Sequence, residues 1–552
     1  MDVVLVGLPG SGKSVVGRRL ANRHAAAFID LDERIELAAN STIREIFEVD
    51  GEAAFRALER AAIAALGPAD PAPDVQRVIS TGGGAVVDPR NRWSLYRGRT
   101  TVWLDGRPEV LAQRLRRSPR VRPLVSGHDP IGAIRDLGAR RERFYAAAKI
   151  HQIGVAEVRG VVDAVEAQLG ETTDGDGGTT LLRSTTPIGR IVLGDGIAVG
   201  ALAAALDALQ AGRAILVSEP GAWSAIGERL ASGLRERGRE VVHLLLPEGE
   251  AAKRLDVVET AARGLAALRV ERGEVLVAVG GGALGDTAGF LAAIYLRGIR
   301  FIQVPTSLVA QIDSAIGGKT GVDLPDGKNL VGAFHQPTAV IIDVATLRTL
   351  PERQIRGALG EAVKMAALGD ERLFELLESD GPAIAGGDAA VFASGAIAEL
   401  VERAAWAKVE VVTADERERG ATGGRIALNL GHSLGHAFEA AAGYRGLLHG
   451  EAVAYGLRAA SRIGVEVGVT PPDRAGRIER LLDTLGLAMD PLHYSHVAVM
   501  GHLAADKKHA DGRLRWVLPT GDGVVVRDDI DPGIVERVAA GLLTTTERGS
   551  AG

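Results

Sequence analysis

Hydrophobic positions along the chain fall into short continuous runs separated by stretches with helical spacing. Residues 3–6, 78–80 and 101–104 read as strands with helices between them, which is the alternation of a parallel sheet covered by helices. The pattern stops at residues 171–186, a segment poor in apolar periodicity and rich in Gly, Thr and Asp, predicted to be a flexible linker. Beyond it the alternation resumes, with strand-like runs at 191–193, 214–217, 241–246, 275–279, 301–304 and 340–342. From Pro351 to Leu543 helical patterns dominate, among them an Ala-rich stretch over 447–467. The expected organisation is an α/β unit over 1–170, the linker, a second α/β unit over 187–350, a helical unit over 351–543 and a frayed tail over 544–552.

Composition narrows this picture. A chain of 552 residues exceeds what one hydrophobic core organises, about 250–300 residues. With 46% hydrophobic and 24% charged residues it has the make-up of a globular protein. A net charge of −6 excludes an extended nucleic-acid footprint, which needs a clustered basic excess. There is no cysteine, so any metal must sit on nitrogen and oxygen ligands. Neither a signal segment nor a membrane-spanning apolar run is apparent, and a cytoplasmic protein is expected.

The run at 3–6 leads into Gly7-Leu8-Pro9-Gly10-Ser11-Gly12-Lys13-Ser14 and then a helical pattern, the context of a phosphate-binding loop. Backbone N–H groups of Gly10, Ser11 and Gly12 can converge on phosphate oxygens, Lys13 neutralises the outer phosphates, and Ser14 can ligate magnesium. In Phe28-Ile29-Asp30-Leu31-Asp32 a period of two would put both carboxylates on one side of an extended run. Phe55-Arg56, the triple glycine Gly82-Gly83-Gly84, the basic Arg120-Val121-Arg122-Pro123-Leu124 and Arg141 follow in order. As an ordered set these motifs resemble shikimate kinase, a P-loop fold with a parallel sheet and flanking helices. The resemblance implies ATP with magnesium, bound at Gly10, Ser11, Gly12, Lys13 and Ser14 with Arg122 as the closing lid, and Asp30 in the magnesium shell. It implies shikimate at Asp32, Arg56, Gly83 and Arg141, with Lys13 and Asp32 in catalytic roles.

In the second half, Gly280-Gly281-Gly282-Ala283-Leu284-Gly285-Asp286 satisfies G-x-G-x-x-G after a strand-like run. However, the acidic residue expected about 20 positions on is missing from the end of the next run, 301–304. Glu219 closes the earlier run, and Glu250 and Lys253 stand three apart. Glu361 and Lys364 share a helical face, His432 and His436 are spaced four apart, and His449 opens His-Gly-Glu. Two histidines and a carboxylate with open positions suit a catalytic zinc ion.

Residues from 187 to about 540 resemble 3-dehydroquinate synthase. The resemblance is carried by residues 280–286, Pro305-Thr306-Ser307-Leu308, 311–314, 317–320, Gly327-Lys328-Asn329, 332–337, the Glu361 helix, 429–436 and 449–451. It implies a Rossmann-like α/β domain followed by a helical domain, assembled as a homodimer through this half. Zinc, or another divalent transition metal, would sit on Glu361, His432 and His449. NAD would meet Glu250, Lys253, Gly282, Asp286, Thr306, Ser307, Lys319, Lys328, Thr346 and Thr349. A heptulosonate phosphate would be surrounded by Asp313, Lys319, Asn329, Lys364, Lys408, Arg425, Asn429, His436 and Lys507. Of these, Lys319, Lys364, Arg425, Asn429, His436 and Lys507 would carry catalysis. The chain departs from the family pattern at Ser307 and Thr346, and has extra residues around 421–424. A glycerol-dehydrogenase-like enzyme would share the layout, but a neutral polyol has no use for so many lysines.

Overall fold

The computed structural model describes residues 1–117, 129–154, 157–171, 178–325, 327–418, 424–505, 509–510 and 513–544. The chain divides into two compact units, one of Met1–Thr185 with Arg190–Ala201 and one of Thr186–Gly189 with Leu202–Gly552.

In the first unit, strands β1 (Asp2–Val6), β2 (Ala27–Asp30), β3 (Arg77–Ser80), β4 (Thr100–Asp105) and β5 (Ile150–Ile153) form a parallel sheet in the order β2-β3-β1-β4-β5. Helices α1 (Lys13–Arg23), α2 (Leu31–Ala39), α3 (Gly51–Ala64) and α4 (Pro130–Tyr145) are among those around it. Every residue of β1 is buried, because a central parallel strand is covered on both faces and shows no alternation. Val3, Leu5, Val16, Leu20, Val78, Val102 and Leu104 share one core. Leu5 pairs with Ser80, and the backbone N–H and hydroxyl of Thr81 both donate to Leu5 O, at 3.2 and 3.0 Å. The loops leaving β1 and β3 therefore start side by side.

One local expectation is corrected here. The extended run ends at Asp30, whose Oδ1 accepts from Asp32 N at 3.1 Å and caps α2, so Asp32 lies in the first helical turn and not two places along a strand. Aspartate is a preferred helix cap, and that preference outweighs continuation of the strand.

The next strands are β6 (Thr179–Thr186), β7 (Gly189–Asp195), β8 (Arg213–Ser218), β9 (Glu240–Leu245), β10 (Val275–Gly280), β11 (Arg300–Pro305), the antiparallel hairpin β12 (Lys319–Leu324) and β13 (Gly327–Phe334), and β14 (Ala339–Asp343). Seven of them form a sheet in the order β6-β7-β14-β11-β10-β8-β9, and helix α5 (Gly282–Ile294) follows β10 directly. The predicted linker over 171–186 is thus corrected at its two ends, while 172–177 lie outside the described residues. Residue 171 ends the helix Val158–Glu171, and Thr179–Thr186 is a strand with Leu181 and Leu182 buried. Its threonines are β-branched and fit a pleated sheet, although by composition they read as linker.

Helices take over at α6 (Glu352–Ala367), followed by α7 (Ala396–Ala414), α8 (His432–Ala441) and α9 (His449–Glu466). A small antiparallel pair, Trp516–Pro519 with Val524–Arg527, interrupts the helical region. Helices α6 and α9 touch backbone to backbone: a Cβ on Gly360 would lie 2.0 Å from Gly450 O, and one on Gly450 would lie 2.1 Å from Gly357 O. That approach brings residue 361 beside residue 449. Among the described residues no helix is long and apolar enough to cross a membrane.

Candidate active sites

In the first unit, Gly10 and Gly12 take φ of +83° and +97°, values that only glycine adopts cheaply, and the loop curls at the start of α1. Lys13 is buried and donates to Gly7 O at 2.8 Å and Leu8 O at 3.1 Å; Ser14 Oγ is 3.4 Å from Ser80 Oγ. The triple glycine threads between the phosphate loop and two expected site residues. A Cβ on Gly82 would lie 2.9 Å from Asp32 Oδ1, one on Gly83 2.8 Å from Pro9 Cδ, and one on Gly84 2.8 Å from the Arg56 guanidinium nitrogens. Arg141 and Tyr145, both buried, donate to Gly83 O at 2.9 and 2.5 Å. The structure therefore gathers the phosphate loop, Asp32, Arg56, Gly83 and Arg141; Arg122 lies outside the described residues.

Sequence reasoning missed two supports of this site. Glu59, buried on α3, holds Arg56 at 2.7 Å; burial raises its pKa and the Arg56 charge works against that. Its signal was the spacing of three from Arg56 on one helical face. Tyr145 carried no signal short of the fold.

In the second unit, a carboxylate meets the glycine loop from the strand on the other side. Glu219 follows β8, which pairs with β10; its Oε1 accepts from Gly281 N at 3.1 Å and its Oε2 from Gly249 N at 2.8 Å. Lys253 Nζ reaches Asp286 Oδ2 at 2.8 Å and Asn329 Oδ1 at 2.6 Å, and Lys328 lies 3.6 Å from Glu250. Burial pulls the Lys253 pKa down, but Asp286 outweighs it and the net shift is upward. Thr306 N donates to Gly280 O at 2.9 Å, and a Cβ on Gly281 would lie 3.6 Å from Ser307 Oγ. A glycine loop opening a helix, with hydroxyls and a carboxylate around it, suits a dinucleotide. Thr346 and Thr349 are different: their hydroxyls donate to Asp343 O and Thr346 O within their own turn, each at 2.8 Å.

The helical half converges on Glu361, which is fully buried. Its Oε1 is 3.1 Å from His449 Nε2 and 3.4 Å from His432 Nε2, and its Oε2 is 2.5 Å from Lys364 Nζ. Close as these are, neither carboxylate oxygen meets hydrogen-bond geometry with a neighbour. Both imidazoles have Nδ1 engaged, His432 with Leu430 O at 3.0 Å and His449 with Glu439 Oε2 at 3.2 Å, so both Nε2 atoms turn towards Glu361. The three ligand atoms lie within 4.8 Å of one another, and nitrogen and oxygen donors backed in this way fit a divalent transition metal. Burial would raise the Glu361 pKa, but Lys364 and His432 hold it well below the usual carboxylate range. Burial lowers His449, yet the neighbouring carboxylates of Glu361 and Glu439 push it up to about 10.

Next to this cluster, Asp313 lies 2.6 Å from Lys408 Nζ and 3.5 Å from Lys364 Nζ. Burial opposes ionisation, but the two ammonium groups hold the Asp313 carboxyl at about 2. Arg425 is buried and donates to Gly317 O and Glu416 O. Lys319 and Asn429 converge on Glu418, at 2.5 and 3.0 Å, a carboxylate that sequence reasoning did not single out. His436 stands on the same helix as His432, their rings 5.3 Å apart. Lys507 lies outside the described residues. Four cations and an amide gathered around Asp313 and Glu418 suit a substrate bearing phosphate and carboxylate groups.

Fold and sites define a class first: a chain of two enzymes, a P-loop phosphotransferase and a dinucleotide-type enzyme with a metal-ready helical half. Comparison with known proteins makes this specific. Residues 243–357 match the family model for the 3-dehydroquinate synthase N-terminal region, residues 358–509 that for its C-terminal region, and residues 9–167 that for shikimate kinase. A 3-dehydroquinate synthase from Synechococcus sp. (strain CC9605) is 44% identical over 59% of this chain and 87% of its own length. One from Symbiobacterium thermophilum is 42% identical over 58% and 88%. ValA, a 2-epi-5-epi-valiolone synthase from Streptomyces hygroscopicus subsp. jinggangensis 5008 solved with NAD+ and Zn2+ bound, is 31% identical, with a TM-score of 0.58 over 64% of this chain and 96% of its own. The chain belongs to the 3-dehydroquinate synthase family and carries a shikimate kinase domain ahead of that part, so it is bifunctional.

Proposed function

We propose that the first domain transfers the terminal phosphate of ATP to shikimate. The second converts 3-deoxy-arabino-heptulosonate 7-phosphate to 3-dehydroquinate and releases phosphate. In the kinase, backbone amides of Gly10, Ser11 and Gly12 with Lys13 hold the nucleotide phosphates, and Arg122 covers them. Ser14 and Asp30 would hold magnesium. Arg56, Gly83 and Arg141 hold shikimate, the arginines suiting its carboxylate, and Asp32 receives the proton of the attacking hydroxyl.

In the synthase, Glu361, His432 and His449 would hold zinc or a similar divalent metal. Glu250, Lys253, Gly282, Asp286, Thr306, Ser307, Lys319 and Lys328 would hold NAD, and Glu219, at the edge of the glycine loop, joins them. Thr346 and Thr349 contribute through their turn rather than their hydroxyls. When bound, NAD would supply a hydride acceptor that is also the later donor, and the metal would supply polarisation of the oxygen at that carbon. Lys319, Asn329, Lys408, Arg425, Asn429 and Lys507 bind and orient the anionic groups, Asp313 fixes Lys364 and Lys408, and His436 faces the substrate beside the metal ligands. The domains we assign are 1–171 for the kinase, 178–350 for the dinucleotide half and 351–543 for the helical half. A cytoplasmic homodimer formed through the synthase half completes the reading, supported by the exposed apolar side chains of Ile294 and Leu296. Light scattering tests the dimer.

The observation that carries the synthase reading is the buried Glu361–His432–His449 cluster directly beside Asp313, Lys364 and Lys408. The test is product analysis by NMR with the heptulosonate phosphate, alongside phosphate release and NADH absorbance. We expect dehydroquinate and phosphate over many turnovers without accumulating NADH; stoichiometric NADH would favour an alcohol dehydrogenase.

A further inference from the structure

The face of α8 that carries His432 and His436 carries Glu439 one turn further on. Glu439 is 3% exposed, and its two oxygens have different partners. Oε2 lies 3.2 Å from His449 Nδ1, and Oε1 lies 3.3 Å from Lys328 Nζ. Lys328 comes from β13 and also faces Glu250, at 3.6 Å. One buried carboxylate thus touches a metal-ligand histidine with one oxygen and a lysine of the dinucleotide side with the other.

By atom distance alone His436, Glu439 and His449 would also accept a cation. The orientation of His449 decides against it. Its Nε2 faces Glu361 Oε1 at 3.1 Å, which leaves Nδ1 to carry the hydrogen towards Glu439. A carboxylate behind an Nδ1–H orients a ligand and makes it more basic, and is not itself a ligand.

We infer that Glu439 is a positioning residue that ties metal affinity to dinucleotide occupancy, holding His449 for the metal while sharing its charge with Lys328. The inference rests on the reading that Glu361, His432 and His449 hold the metal and that Lys328 faces the dinucleotide. While Lys328 neutralises part of the Glu439 charge, the carboxylate polarises His449 less. A dinucleotide phosphate or ribose that draws Lys328 away leaves Glu439 acting on His449 alone, and the imidazole becomes a stronger donor. Glu439 itself is buried, although Lys328 and His449 are partly exposed, so solvent screens the exchange less than it would at the surface. Linkage is reciprocal for binding, so the metal tightens the dinucleotide by the same factor.

The test measures the zinc affinity of the full chain by competition with a chromophoric chelator, without NAD and at saturating NAD. In the unmodified chain NAD should tighten zinc by about fivefold or more. Glu439→Gln should weaken zinc by about 10–100-fold and abolish the NAD effect, and Glu439→Asp should recover part of the affinity, which a loss through unfolding would not. Lys328→Met should abolish the NAD effect while zinc binds at least as tightly as in the NAD-free unmodified chain. Unaltered zinc affinity in Glu439→Gln, or an NAD effect that survives there in full, overturns the inference. His432→Ala separates the two levels. Zinc binding that survives it refutes the metal-site reading itself, whereas zinc lost there and untouched in Glu439→Gln refutes only the coupling.

Discussion

Asp313 shows how a single carboxylate sets the charge balance of the substrate site. It lies between the ammonium groups of Lys408 and Lys364, which hold its pKa at about 2 against an ordinary 3.8. A folded-state pKa below the unfolded one means that the stabilisation is fully present above about pH 4 and is lost as pH falls towards 2. Asp313→Asn leaves the buried Lys408 ammonium without its carboxylate and Lys364 with Glu361 alone, and should cost about 3–5 kcal/mol near neutral pH. The gap from the unmodified chain should shrink as pH falls below about 4, where the unfolded carboxylate takes up its proton before the native one does near 2. Denaturant titrations at neutral and acid pH check this, and a gap independent of pH would contradict it. At this scale the sequence disclosed the residues that belong to motifs, such as Glu361 and His432, because their spacing carries chemistry. It did not disclose Glu418, nor the partners of Glu219, which are far away in sequence and meet it only once β8 lies beside β10.

Among elements, one of the tightest backbone contacts in the helical half also sets the Glu361–His432–His449 cluster. Gly360 precedes Glu361 and Gly450 follows His449, and their backbones leave no room for a side chain. Gly360→Ala must push α6 and α9 apart, so we expect a loss of about 1–3 kcal/mol in stability and at least tenfold weaker zinc binding, although no ligand is changed. Unchanged zinc affinity in that variant would show that the helix contact does not set the cluster. Strand β6 gives a second test at this scale. Leu182 is 1% exposed, so Leu182→Ala should cost about 2–5 kcal/mol in a denaturant titration, whereas a residue in a flexible linker would tolerate it. The strands at the centres of both sheets were legible because buried parallel strands are continuous apolar runs. Strand β6 and the β12–β13 hairpin were not, since their polar and glycine-rich residues gain strand structure from neighbours, not from their own pattern.

For the molecule as a whole, each domain contains its own set of reacting groups, with no residue shared between the two proposed sites. The implied reactions are also not consecutive, because dehydroquinate must be dehydrated and reduced before there is shikimate to phosphorylate. Fusion would then fix stoichiometry and not hand product from one site to the other. The measurement that tests this most directly is an assay of both activities on Lys13→Ala and His432→Ala side by side with the unmodified chain. Lys13→Ala should lose shikimate phosphorylation by at least about a thousandfold while keeping dehydroquinate formation, and His432→Ala should do the reverse. Loss of both activities in either variant, with folding intact, would contradict two independent enzymes in one chain.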